Sequence, residues 1–132
     1  VNQYATPELS FEFHYFFVRK FYFLYHAKAV VVFPGGFGTM DELFEILTLL
    51  QTNKIADFPV VLFGKDYWSN LLEQIDNMKT LGTISEKDVQ LFLVTDSVSE
   101  GINYIYNKLE KKYGSPLKIK TSKTRWWLGE KV

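Results

Sequence analysis

An α/β fold, a parallel sheet flanked by helices, is the class this 132-residue sequence predicts. Short continuous apolar runs recur at strand length: "AVVVF" at 29–33, "FPVVLFG" at 58–64 and "QLFLVT" at 90–95. Stretches with helical period alternate with them. A glycine-rich turn, "PGGFG", joins the first run directly to the helix pattern that follows. Strands alternating with helices in this way are the mark of βαβ units, which set strands side by side in parallel.

Taken in order, residues 10–16 alternate polar and apolar only weakly, as a short strand or an extended lead-in. Over 16–28, Phe17, Phe21, Leu24 and Tyr25 recur at helical spacing and predict a helix. The β-branched run at 29–33 predicts a strand buried on both faces, as strands of parallel sheets are. A helix then starts at Thr39 and runs to about residue 53, with Leu43, Ile46, Leu47 and Leu50 on its apolar side. Residues 58–64 form a second buried strand closed by Gly64, and 66–80 an amphipathic helix. Ser85-Glu86-Lys87-Asp88 resembles a capping box opening a short helix. Residues 90–95 are the third strand, and 97–113 the last helix, with Ile102, Ile105, Tyr106 and Leu109 inward. Residues 1–113 thus make one domain. The tail, 114–132, carries Lys118, Lys120, Lys123, Arg125 and Lys131 against a single acid, Glu130. A sheet of three strands has an exposed edge where more strands belong, so the chain is expected either to lack an N-terminal half or to lean on a partner.

Composition narrows the function classes. The chain is long enough for a core of normal size, and with 47% hydrophobic and 17% aromatic residues it is not a disordered chain. A formal net charge of zero speaks against a dedicated nucleic-acid binder. With no cysteine there is no disulfide, thiolate nucleophile or cysteine-ligated metal. His14 and His26 have no partners at metal-ligand spacing, so no metal site is expected. The apolar runs fall far short of the roughly 20 residues that cross a bilayer. A cytoplasmic protein without membrane contact is the expectation.

The turn Pro34-Gly35-Gly36-Phe37-Gly38 is the candidate site. A glycine turn between a strand and a helix lets backbone adopt positive φ and approach an anion, and the helix N-terminus offers free N–H groups and partial positive charge. No Gly-Lys-Ser/Thr follows, which excludes a P-loop, and the glycine spacing is not that of the dinucleotide fingerprint. A tight turn without ligand is the lesser reading of the glycines alone. Position at the carboxyl end of a parallel strand favours a site. Thr39-x-x-Glu42 reads as a capping box, with Glu42 reaching back to Thr39, and also as a carboxylate facing whatever the turn binds. Arg19 and Lys20 read as a solvated polar face. Yet Arg19 stands among aromatics, a setting in which a guanidinium needs a phosphate or a carboxylate as partner.

"RK" at 19–20, then "PGGFGTMDE" at 34–42 and "LTLLQT" at 47–52, resemble the LOG (Lonely Guy) family, whose members also carry a lysine decarboxylase label. Pro34 to Glu42 meets the family signature Pro-Gly-Gly-x-Gly-Thr-x-x-Glu at every fixed position, and the resemblance covers about 10–110. It implies a Rossmann-like α/β fold, a homodimer or higher oligomer with its active site near the subunit interface, and no cofactor. The implied activity is phosphoribohydrolysis, cleaving the N-glycosidic bond of a nucleoside 5'-monophosphate, AMP or a cytokinin nucleotide, to free base and ribose 5-phosphate. Arg19 and Glu42 match the catalytic pair, and Lys20, Gly35, Gly36, Phe37, Gly38, Thr39 and Thr48 match substrate- and phosphate-binding positions. Amino-acid decarboxylation would need a Schiff-base lysine, and nothing in the sequence places Lys28 or Lys54 in such a role. The family's earlier strand and glycine-rich segments have no match in this sequence, and Asp41 stands where many relatives carry glutamate. The alternatives are a nucleotide- or cofactor-binding module that no longer turns over, and a structural subunit that completes its sheet with another chain.

Overall fold

The computed structural model describes residues 12–114, together with residues 6 and 10. Its elements in chain order are helix α1 (Phe16–His26), strand β1 (Val30–Val32), helix α2 (Phe37–Gln51), strand β2 (Val60–Phe63), helix α3 (Lys65–Thr80), a 3-10 turn (Asp88–Gln90), strand β3 (Phe92–Thr95) and helix α4 (Val98–Tyr113). The strands form one parallel sheet in the order β1-β2-β3, with Val31 opposite Val61 and Val61 opposite Leu93. This is the α/β arrangement that the alternating pattern predicts. The basic tail beyond residue 114 lies outside the described residues.

Side chains alternate across a strand, so each face of the sheet meets a different layer. Val32, Val60 and Leu62 pack against Leu43, Ile46 and Leu50 of α2 and Trp68 of α3 to form the core. Full burial of such side chains contributes about 1.5–3 kcal/mol each. Trp68 is fully buried, and its indole N–H is satisfied by the Phe63 carbonyl at 3.0 Å. The opposite face receives α4. Gly101 makes the close approach: a Cβ there would stand 3.6 Å from Val61 and 3.7 Å from Thr95. Ser97 caps α4 by accepting the Glu100 amide, and Gly114 ends it in the left-handed conformation.

Several expectations are corrected. Strand β1 is not buried on both faces: Val31 is 41% exposed and Phe33 is exposed beyond it, because α4 covers β2 and β3 and stops short of β1. Ile102 is likewise exposed, whereas Leu109 is buried. Around Asp88 only half of the capping box forms. The Asp88 carboxylate accepts the Ser85 amide at 2.7 Å, but the Ser85 hydroxyl also donates to it, at 2.9 Å, instead of receiving a backbone N–H.

Helix α1 is the anomaly. None of its residues is buried. Leu24 touches the core cluster, as does Ala27 just beyond the helix end. The aromatic stripe of Phe17, Phe21 and Tyr25 faces outward, with Phe17 69% exposed, and Phe21 and Tyr25 stack on one another. The side turned toward α2 carries Arg19 and Lys20.

Candidate functional site

The glycine turn follows β1 at its carboxyl end, where open α/β sheets bind ligands. None of its three glycines has positive φ among the described residues; Gly64, Gly82 and Gly114 do. The expectation of a left-handed turn is therefore corrected. Gly35 is required by space, because a Cβ there would lie 2.1 Å from the Thr39 hydroxyl oxygen. At Gly36 and Gly38 a Cβ would meet nothing within 4 Å. Those two glycines leave bare backbone at the open side of the turn.

Helix α2 begins earlier than Thr39. Gly36 is its N-cap, in extended conformation, and its carbonyl accepts from the amides of Thr39 and Met40. The capping box expected of Thr39 and Glu42 is thus absent. Thr39 lies within the first turn and Glu42 in the next, and no side chain caps this end. The leading amides, Phe37 and Gly38, have no carbonyl one turn below them and point out of the helix mouth. Phe37 itself is almost fully exposed. The turn is held from α3 by Tyr67, whose hydroxyl donates to the Gly35 carbonyl.

Glu42 and Thr39 open onto a cleft of about 340 Å³ together with Val31, Phe33 and Pro34. Arg19 reaches this region from α1, with its guanidinium 3.8 Å from the Glu42 carboxylate. That separation pairs the charges without spending a hydrogen bond between them. The same guanidinium lies over the Phe16 ring at 4.5 Å and near Phe23 at 5.8 Å, a cation–π seating among aromatics. The partner that Arg19 requires is here a carboxylate.

Lys20 is held differently. Its ammonium lies 2.7 Å from Asp41 and 2.8 Å from Glu45, successive acids on one stripe of α2. Hydrogen bonding to Asp41, then to Glu45, raises its pKa above the ordinary lysine value, so the pair contacts are made by a fully charged lysine. Thr48 lies apart from the cleft. Its hydroxyl donates to the Phe44 carbonyl, and it lines a separate groove of about 190 Å³ with Gln51, Asp88 and Phe92. The structure thus brings together Arg19, Glu42, Thr39 and the glycine turn, gives Lys20 two carboxylate partners, and leaves Thr48 on another side of α2. Sequence reasoning missed Tyr67, for which it offers no signal. It also missed Glu45 as a partner of Lys20, which the i, i+4 spacing of Asp41 and Glu45 would have flagged.

Residues 2–105 match the model of the protein family described as "Possible lysine decarboxylase". The chain belongs to this family, the LOG family. Its LOG relatives include the cytokinin riboside 5'-monophosphate phosphoribohydrolase LOG4 of Arabidopsis thaliana, 35% identical over 94 residues, which are 70% of this chain and 41% of that protein. LOG1 of the same plant is 33% identical over 109 residues, covering 82% of this chain and 48% of LOG1. A probable LOG4 of Oryza sativa subsp. japonica is 36% identical over 83 residues, 62% of this chain and 36% of its own length. The chain spans less than half the length of each of these LOG relatives. No helix among the described residues is long and apolar enough to cross a membrane.

Proposed function

We propose that this chain carries the phosphate cradle and the reacting carboxylate of a nucleoside 5'-monophosphate phosphoribohydrolase. The observation that carries the reading is the convergence of Glu42, the paired Arg19 and the bare backbone of Gly36 and Gly38 at the carboxyl end of one parallel strand. It agrees with what the LOG relatives are named for.

In this reading the 5'-phosphate sits on the leading amides of α2, where backbone N–H groups and the helix dipole favour an anion. Arg19 turns its guanidinium to the phosphate and neutralises it. Anchoring the phosphate directs the ribose toward Glu42, so binding energy is converted to rate. Cleavage builds positive charge on the sugar, which the carboxylate of Glu42 stabilises. Water adds to C1' while the C1'–N bond breaks with its electron pair going to the base. Glu42 takes a proton from the water, and that proton passes by way of solvent to the departing base, which returns Glu42 to its carboxylate form. The products are the free base and ribose 5-phosphate. The exposed aromatic stripe of α1, next to the site, supports assembly as a homodimer, since apolar patches of this kind mark contact surfaces.

Release of ribose 5-phosphate from a panel of nucleoside 5'-monophosphates, AMP and isopentenyl-adenosine monophosphate included, tests the reading against the matching nucleosides. Turnover that requires the 5'-phosphate supports it. Retention of nucleotide without release of base would make the chain a binding module.

A further inference from the structure

We propose that Lys20, Asp41 and Glu45 form a clamp that fixes the rotation of α1 on α2 and thereby sets Arg19 over Glu42, which makes Asp41 and Glu45 positioning residues for the reaction. The proposal rests on the functional reading above for the word reaction, but the clamp itself is a statement about how two helices are held.

Apolar burial holds α1 weakly. No residue of the helix is buried, and its largest side chains face outward. Apart from Leu24 against the core, the contacts that distinguish one rotation of α1 from another are polar. Lys20 is the most shielded charge at the α1–α2 contact, its side chain only 13% exposed, against 42% for Arg19. It inserts between Asp41 and Glu45, which an i, i+4 spacing stacks on one stripe of α2.

The register of the two helices then follows from chain order. Arg19 precedes Lys20 on α1, and Glu42 follows Asp41 on α2. When Lys20 is seated, Arg19 is brought to Glu42. An α-helix turns by about 100° per residue, so a rotation of α1 that released the lysine would swing Arg19 off the carboxylate as well. The clamp also settles charge. Asp41, Glu42 and Glu45 place three acids on the side of α2 facing α1, and Lys20 with Arg19 offsets their repulsion. A Lys20 that contacted substrate directly would have to abandon two short ion pairs to do so.

Two variants that break the clamp from opposite sides test it: Lys20→Met, and Asp41→Asn with Glu45→Gln, which leaves the lysine in place. Each is measured for kcat, KM, hydrogen exchange of the α1 amides and the Arg19 Nε–Hε resonance. Both should lower kcat/KM by roughly tenfold to a hundredfold, as small misplacements of catalytic groups do. In the two variants kcat is reduced and KM raised alike, because the displaced Arg19 is lost to carboxylate and phosphate together. Combining all three substitutions should cost no more than either variant, because the same contact is lost. Exchange of α1 should rise and the Arg19 resonance shift in both, with α3 and α4 unaffected. The clamp is overturned if Asp41→Asn/Glu45→Gln keeps wild-type kcat and α1 protection while Lys20→Met raises KM, for the lysine would then bind nucleotide. Should the wild-type chain turn over no nucleotide, the functional reading fails, and exchange and the Arg19 resonance still decide the clamp: unchanged signals in both variants refute it.

Discussion

The guanidinium of Arg19 on α1 lies 3.8 Å from the carboxylate of Glu42 on α2, across a helix contact that buries no residue of α1. The pair is a placement of two charges at the edge of a cleft more than a source of stability, since half-exposed ion pairs contribute about 0–1 kcal/mol.

Arg19→Ala should therefore leave the fold intact and weaken both nucleotide binding and turnover. A lost contact between guanidinium and phosphate is expected to lower kcat/KM by roughly tenfold or more. Steady-state kinetics on the preferred monophosphate read this directly, and unchanged constants would remove Arg19 from the site.

The glycines of the turn should separate by role. Gly35→Ala places a methyl 2.1 Å from the Thr39 hydroxyl and should destabilise the protein by about 1–3 kcal/mol, as overpacking does. Gly36→Ala meets no atom of the chain within 4 Å, so its cost is only that of exchanging an N-cap glycine for alanine, about 0.5–1 kcal/mol. Its methyl stands where the ligand would approach, so nucleotide affinity should drop. Urea unfolding and a nucleotide titration on both variants distinguish the two effects; equal stability losses would contradict the assignment.

Tyr67→Phe removes the hydroxyl that holds the Gly35 carbonyl. A hydrogen bond of this kind contributes about 0.5–1.5 kcal/mol net. The expected outcome is a stability loss in that range together with weaker nucleotide binding. A variant with wild-type affinity would show that the turn keeps its shape without α3.

Asp88 supplies a pH dependence of known sign. Hydrogen bonds from the Gln51 side chain, then from the Ser85 amide, hold its pKa below the ordinary 3.8. A depressed folded pKa stabilises the fold above the unfolded value, and that contribution disappears as pH falls through the folded one. Wild type should exceed Asp88→Asn in unfolding free energy at neutral pH, by less than about 1 kcal/mol for so exposed a group, and the gap should close below about pH 4. Unfolding midpoints measured across that range check it; a gap that widens in acid would reverse the assignment.

Element types were legible because period and β-branching report burial locally. The buried triplet of Leu43, Ile46 and Leu50 and the strand at Val60–Phe63 lie where pattern predicts them. The orientation of α1 was not legible. An aromatic stripe at helical spacing is ordinarily an inward face, yet here Arg19 and Lys20 turn inward because three acids on α2 await them. Hydropathy does not register a charge whose partner lies on another element. The start of α2 was misplaced for a related reason. Thr39-x-x-Glu42 has the residue types of a capping box, but Gly36 takes the cap with its backbone alone and draws Phe37 and Gly38 into the first turn. The exposure of Val31 depends on how far α4 extends across the sheet, which no local pattern encodes.

The central claim is that Glu42 serves turnover and not the helix end, and Glu42→Gln tests it most directly. Turnover, nucleotide affinity and thermal unfolding of this variant are to be compared with wild type on the same nucleoside 5'-monophosphate. Loss of kcat by about 10²-fold or more, with affinity and unfolding temperature unchanged, is the result the structure predicts for a carboxylate that acts on the reacting sugar. Wild-type kcat in the variant, or a parallel fall of stability and binding, would contradict it.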